Sequence, residues 1–177
     1  MANENNTRKA QELKQLGLWS INDLTHLPDD ELLQLRAALE VEMRARGLAL
    51  TVGAVGEKLA IDLFNVTPGC PNLLAAPTGT ANIDAISRKG ERYSIKTVCK
   101  GKKTGTVYPD TDAPDKQLFE FILVVKLNDD WTLDRVYEFD WKGFVENRAW
   151  DKRMNAWYLP ASARVLAKAK QYAPIES

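Results

Sequence analysis

Apolar residues along this chain are spaced first as in helices and then as in strands, and each change of spacing marks an element. Between Pro28 and Arg46 they recur three and four positions apart at Leu32, Leu35, Leu39 and Met43, which predicts a helix. Pro28 suits its start, Asp29, Asp30 and Glu31 suit the positive end of its dipole, and Arg44, Arg46 and Gly47 suit its close. A shorter capped helix is predicted over Thr7 to Gly17. Thr51 can cap a third helix running to about Asn65, with Val52, Val55, Leu59 and Leu63 on one stripe. The spacing then becomes alternating. Asn82 to Ser87 and Arg92 to Val98 read as two strands, joined by Arg88-Lys89-Gly90, a loop with glycine at the left-handed position. Leu118 to Leu127 is a nearly continuous apolar run, as expected of a central strand covered on both faces. Asn128-Asp129-Asp130 makes a turn, after which Trp131 to Trp141 alternates, Tyr137, Phe139 and Trp141 against Val136, Glu138 and Asp140. The alanine-rich stretch from Pro160 to Tyr172, with Arg164, Lys168 and Lys170, predicts a closing helix.

The order helix, hairpin, central strand, strand, helices favours an α/β (α+β) class with a mixed sheet flanked by helices. Three regions are expected: a helical extension over 1–50, a core over 51–142 and a C-terminal helical region over 143–177 packed on that core. The Leu32–Met43 stripe would pack on the core or join two copies in a homodimer. With 177 residues, 45% of them apolar, the chain has enough material for one compact core and accessories.

The hairpin carries the chemistry. If Ser87 pairs with Glu91, Asp84 lies opposite Ser94 and diagonal to Lys96 on one face, while Ile83, Ala85, Tyr93 and Ile95 occupy the other. A carboxylate able to hold a divalent cation, beside an ammonium able to steady a phosphate or an attacking water, suits phosphodiester hydrolysis. Glu57 adds to this. On a helical wheel it falls among Gly53, Ala60, Ile61 and Phe64, inside a second apolar arc, whereas Lys58 and Asp62 mark the polar side. A carboxylate in such an arc has to be paired, protonated or bound to metal. A surface pairing with lysine or arginine is the plainer alternative.

An acid near the start of one strand, a hairpin, and a two-residue spacing ending in lysine resembles the PD-(D/E)xK nuclease superfamily, which includes many restriction endonucleases. The resemblance spans roughly residues 50–142, the size of a small domain. Its pattern maps the first acid to Asp84, the second to Ser94 and the lysine to Lys96; Ser94 is not an acid, and Ile83 stands where the family has proline. Members often carry a glutamate on the helix before the hairpin, and Gly56-Glu57 looks like that residue. The resemblance implies a restriction-endonuclease-like sheet of four to five strands and Mg²⁺- or Mn²⁺-dependent hydrolysis of double-stranded DNA. It further implies Asp84, Glu57 and the Ile95 carbonyl as metal ligands, Lys96 as the group that positions or deprotonates water and stabilises the transition state, and Ser94 as a hydrogen-bond donor or water-mediated ligand. Two other readings stand beside it: a decayed nuclease fold kept as a nucleic-acid-binding or assembly module, and a structural domain in which Asp84 and Lys96 form a cross-strand salt bridge.

Charge and composition narrow the field. Twenty-four basic and 24 acidic residues cancel, so DNA would have to be held locally. Lys100, Lys102 and Lys103, among glycines and threonines just after the lysine strand, are one candidate phosphate-binding set; Arg148, Lys152 and Arg153 near Trp150 and Trp157 are another. His26 is the single histidine and has no acidic or nucleophilic company, which disfavours histidine triads and histidine-ligated zinc. Cys70 and Cys99 are too few for a disulfide framework or zinc knuckle, and no glycine-rich phosphate loop occurs. No apolar run approaches a membrane span and no signal peptide opens the chain, so a cytoplasmic location is expected.

Overall fold

A computed structural model describes residues 24–48 and 51–174 of the chain, which divides into two units, Met1–Leu48 and Ala49–Ser177. In the first, helix α1 (Asp29–Ala45) follows Pro28 and carries the expected acidic first turn and Arg44 in its last. Gly47 takes a left-handed φ of 65° just beyond it. Arg36 and Arg44 both pair with Glu40, at 3.1 and 3.5 Å, and none of the helix's residues is buried. The helix predicted over Thr7 to Gly17 lies outside the described residues.

The second unit is built on a six-stranded mixed sheet, one or two strands larger than expected. Its strands are β1 (Leu73–Ala75), β2 (Ala85–Ser87), β3 (Arg92–Val98), β4 (Phe121–Leu127), β5 (Leu133–Asp140) and β8 (Lys170–Tyr172), in the order β1-β2-β3-β4-β5-β8. Only β3 and β4 run parallel. A parallel pair needs a crossover, and residues 99–120 supply it over one face of the sheet, where Val107 and Phe119 are fully buried. Helix α2 (Val52–Val66) covers the other face, opened by Thr51, whose Oγ1 accepts the Ala54 amide at 3.2 Å.

Alternation along β4 fills two cores at once. Leu123, Val125 and Leu127 meet Ala60, Leu63 and Phe64 of α2, and the Phe64 ring lies 4.8 Å from that of Tyr172. Ile122 and Val124 meet Val98, Val107, Phe119 and Phe139 on the opposite face. This two-sided burial is what the continuous apolar run predicts. The strand itself begins at Phe121, with Leu118 to Glu120 still in the approaching loop. Likewise β5 is shorter than Trp131 to Trp141: Trp131 sits in the turn at φ 65°, and Asp140 caps helix α3 (Trp141–Asn147) by accepting the Gly143 amide at 2.7 Å.

The C-terminal region is not the helical one expected. After α3 comes a hairpin of β6 (Ala149–Asp151) and β7 (Ala156–Tyr158), then a single turn of helix, α4 (Ala163–Leu166), and then β8 on the edge of the main sheet beside β5. Asp151 makes the hairpin turn by accepting the amides of Arg153 and Met154 at 3.0 and 3.1 Å, and Asn155 takes a left-handed φ of 50°. Ser162 caps α4, but the edge of β5 captures the chain at Lys170, four residues past the helix end at Leu166, and a long-range ladder overrides alanine's helix propensity. Among the described residues no helix is long and apolar enough to cross a membrane.

Candidate active site

The hairpin forms in the predicted register. The Ser87 amide donates to the Glu91 carbonyl at 2.8 Å, Ala85 pairs with Tyr93, and Gly90 takes the left-handed conformation at φ 84°. Its first strand is shorter than Asn82 to Ser87, because Asn82 adopts φ 58° and turns the chain away from β3. The last backbone rung is the Asp84 amide on the Tyr93 carbonyl at 2.8 Å. Where the next rung would be, the Asp84 side chain takes over. Its Oδ2 accepts the Ile95 amide at 2.6 Å, the Ser94 hydroxyl at 3.3 Å and the Lys96 ammonium at 3.2 Å.

All three bonds converge on one oxygen, and Asp84 Oδ1 has no donor among the described residues. The carboxylate is thus fixed in orientation with one oxygen left to bind. Lys96 and Asp84 expose only 17% and 21% of their side chains, so their charges are screened less than those of a surface pair. Ser94 is fully buried and acts as a donor to Asp84. Alternation along β3 turns both the N–H and the C=O of Ile95 toward the edge that β2 has vacated. The Ile95 carbonyl is therefore on the same open edge as Asp84.

Glu57 reaches this notch from the other side of the sheet. Helix α2 crosses β3 at Gly56, where an added Cβ would stand 2.6 Å from Thr97 Cγ2 and 2.8 Å from Thr97 Cβ. Only glycine permits that approach, and it brings the next residue, Glu57, into a groove of about 530 Å³ shared with Asp84, Ile83 and the Pro77–Thr80 loop. Glu57 is in no ion pair among the described residues; its neighbour Lys58 pairs with Asp62 at 2.6 Å. Burial pushes the Glu57 carboxyl up from its ordinary range, and the negative charge of Asp84 pushes the same way against the pull of Lys96.

Two carboxylates that feel one another across a groove, with a backbone carbonyl on the adjoining edge, are hard oxygen donors. Mg²⁺ commonly takes one or two protein carboxylates and keeps several waters, so this set fits it. No group of three or more histidine, cysteine, aspartate or glutamate residues gathers anywhere among the described residues, which leaves no richer metal site to compete. No protein-family model and no curated protein matches the chain.

The proposed phosphate-binding residues are dispersed. Lys103 is engaged, its ammonium 2.6 Å from Asp151 and 4.7 Å from the centre of the Tyr158 ring. That contact holds the Asp151 carboxyl below its usual range, chiefly through the hydrogen bond from Lys103. Lys100 lies 3.9 Å from Asp129, and Lys102 is exposed. Arg148 stacks its guanidinium 3.9 Å from the centre of the Trp157 ring, while Arg153 and Lys152 are exposed on the β6–β7 turn. Three site features escape a reading of the sequence: the Ile95 amide as the main anchor of Asp84, the Gly56 seat on Thr97, and the Pro77–Thr80 wall. The turn residues Pro77 and Gly79 are a visible signal for the last, and a glycine inside an apolar helical arc is one for the second.

Proposed function

We propose that this chain is a metal-dependent nuclease of the PD-(D/E)xK type, with the restriction-endonuclease-like arrangement, that hydrolyses DNA phosphodiester bonds. The observation that carries the reading is the state of Asp84: one oxygen is locked by Ile95, Ser94 and Lys96, the other is free, and a second carboxylate, Glu57, lines the same groove. Asp84, Glu57 and the Ile95 carbonyl would hold Mg²⁺ or Mn²⁺, with Glu57 supplying the charge that Ser94 lacks. When bound, the ion contributes charge at the phosphate oxygens and a more acidic water.

The chain's own residues do the rest. Asp84 is prevented from rotating by its backbone donor, so little reorganisation is needed when substrate arrives. Lys96 spends one of its donors on Asp84, keeping the others for a phosphate oxygen or for water as negative charge develops. The chain packs along its stem, since a Cβ on Gly105 would lie 3.7 Å from Lys96 Cδ. The buried Ser94 hydroxyl favours the same Asp84 rotamer from below, which is a positioning role.

The test is cleavage of plasmid or oligonucleotide DNA by the full chain in Mg²⁺ or Mn²⁺. Asp84→Ala and Lys96→Ala should each lower the rate on the order of a hundredfold or more while the protein stays folded. Cleavage that persists in both variants, or in EDTA, overturns the assignment. If wild-type protein binds nucleic acid but never cuts it, the retained-fold binding module is the correct reading, and the direct Lys96–Asp84 contact is then its structural salt bridge.

A further inference from the structure

Asp84 stands beside a ridge between two depressions. One is the groove shared with Glu57; the other, of about 470 Å³, lies beyond Ile83, which lines both. The wall of the second includes Tyr108, whose side chain belongs to a residue 48% exposed. Its backbone, by contrast, is held from every direction. Val107 is fully buried and exchanges two backbone bonds with Trp157, at 2.7 and 2.9 Å. The Tyr108 carbonyl accepts Asn82 Nδ2 at 3.0 Å, two residues from Asp84. The following loop closes on Asp110, which takes the Asp112 and Ala113 amides at 3.0 and 3.1 Å and the Lys116 ammonium at 2.7 Å.

An exposed aromatic ring on a fixed backbone loses little entropy when something stacks on it. The two cations there are already paired, Lys116 with Asp110 and Arg92 by a two-pronged contact with Glu120 at 3.1 and 2.8 Å, while the Asp112 carboxylate on the rim has no cation partner among the described residues. The depression therefore offers a ring and a polar rim, with no free cation for a phosphate. That chemistry matches a nucleobase. Bases inside a duplex are stacked on one another and cannot meet such a ring until they are unpaired.

We propose that Tyr108 is a stacking platform for an unpaired base beside the cleaved phosphodiester, so that the preferred substrate is single-stranded or locally opened nucleic acid. This rests on the nuclease reading of the Asp84 site. The test is binding of the full chain, in EDTA, to fluorescein-labelled oligonucleotides, single-stranded and as a blunt duplex of the same sequence, followed by anisotropy. Expected results are tighter binding of the single strand, about a tenfold weakening of that binding in Tyr108→Ala, and near-wild-type binding in Tyr108→Phe. If Tyr108→Ala binds the single strand like wild type, or weakens duplex and single strand equally, while wild type still cuts DNA in Mg²⁺, the platform is wrong and the nuclease reading stands. If wild type neither binds nor cuts any of these substrates, both fall together.

Discussion

Alanine at Gly56 is the perturbation that probes how Glu57 is delivered to Asp84. In most helices Gly→Ala stabilises, because alanine has the better helix propensity by about 1 kcal/mol. At Gly56 the new Cβ would meet three Thr97 side-chain atoms inside contact distance, Cγ2 at 2.6 Å, Cβ at 2.8 Å and Oγ1 closer still. Relief requires α2 to lift from β3 by about 1 Å, an overpacking cost of about 2–3 kcal/mol. The net effect is a loss of about 1–2 kcal/mol. Gly53, one turn earlier, is the internal control, since its added Cβ would find nothing nearer than Thr51 Oγ1 at 4.0 Å. Gly53→Ala should gain about 0.5 kcal/mol. Guanidinium denaturation of both variants measures the two signs. Thr97→Ala removes two of the three clashing atoms, so Gly56→Ala and Thr97→Ala should cost less together than the sum of the single changes, with a coupling of about 0.5 kcal/mol or more. The lift also moves Glu57, and on the proposed nuclease reading a displacement of that size should lower the cleavage rate about a hundredfold. A Gly56→Ala protein that is more stable than wild type, or that shows no coupling to Thr97, refutes the close helix–strand seat.

Glu57→Gln should abolish metal-dependent cleavage and raise stability at neutral pH. The folded carboxyl titrates above its ordinary value of 4.5 because burial and then Asp84 disfavour its charge. The native state therefore holds that proton more tightly, and stability falls as pH rises from the unfolded value through the folded one. The melting-temperature gain of Glu57→Gln should accordingly be absent below about pH 4 and full at pH 8 in EDTA; an equal gain at both excludes the charge as its origin. Replacing Lys100, Lys102 and Lys103 together should lower the log–log salt slope of DNA binding by about one unit, not three, because Lys103 is committed to Asp151 and Lys100 lies beside Asp129. A fall near three units shows all three on the phosphate backbone.

Much of the site is legible in the sequence because it depends on local rules. Gly90 sets the hairpin register, and a period of two then fixes which side chains share a face with Asp84. Glu57 stands out as a carboxylate within an apolar arc. What stays hidden is decided by distant partners. Lys170–Tyr172 is a strand only because β5 offers an open edge, and β1 exists because Ala75 and Leu73 pair with Ala85 and Ser87 while Asn65 grips both backbone groups of Leu73, at 2.7 and 3.1 Å. The β6–β7 hairpin was detectable from Asp151 and Asn155, whose turn chemistry separates Ala-Trp-Asp from Ala-Trp-Tyr. Ser94 shows the limit of mapping by pattern: it fills the second-acid position, but full burial makes it a support for Asp84. A glutamate there would put an unpaired charge into the core beside another carboxylate.

The most direct measurement is anomalous diffraction from crystals of the full chain soaked in Mn²⁺. A peak bonded to the free oxygen of Asp84 and to Glu57, with Lys96 still on the other oxygen, is the predicted result. Ordered Mn²⁺ bound elsewhere, with none between these two carboxylates, contradicts the account.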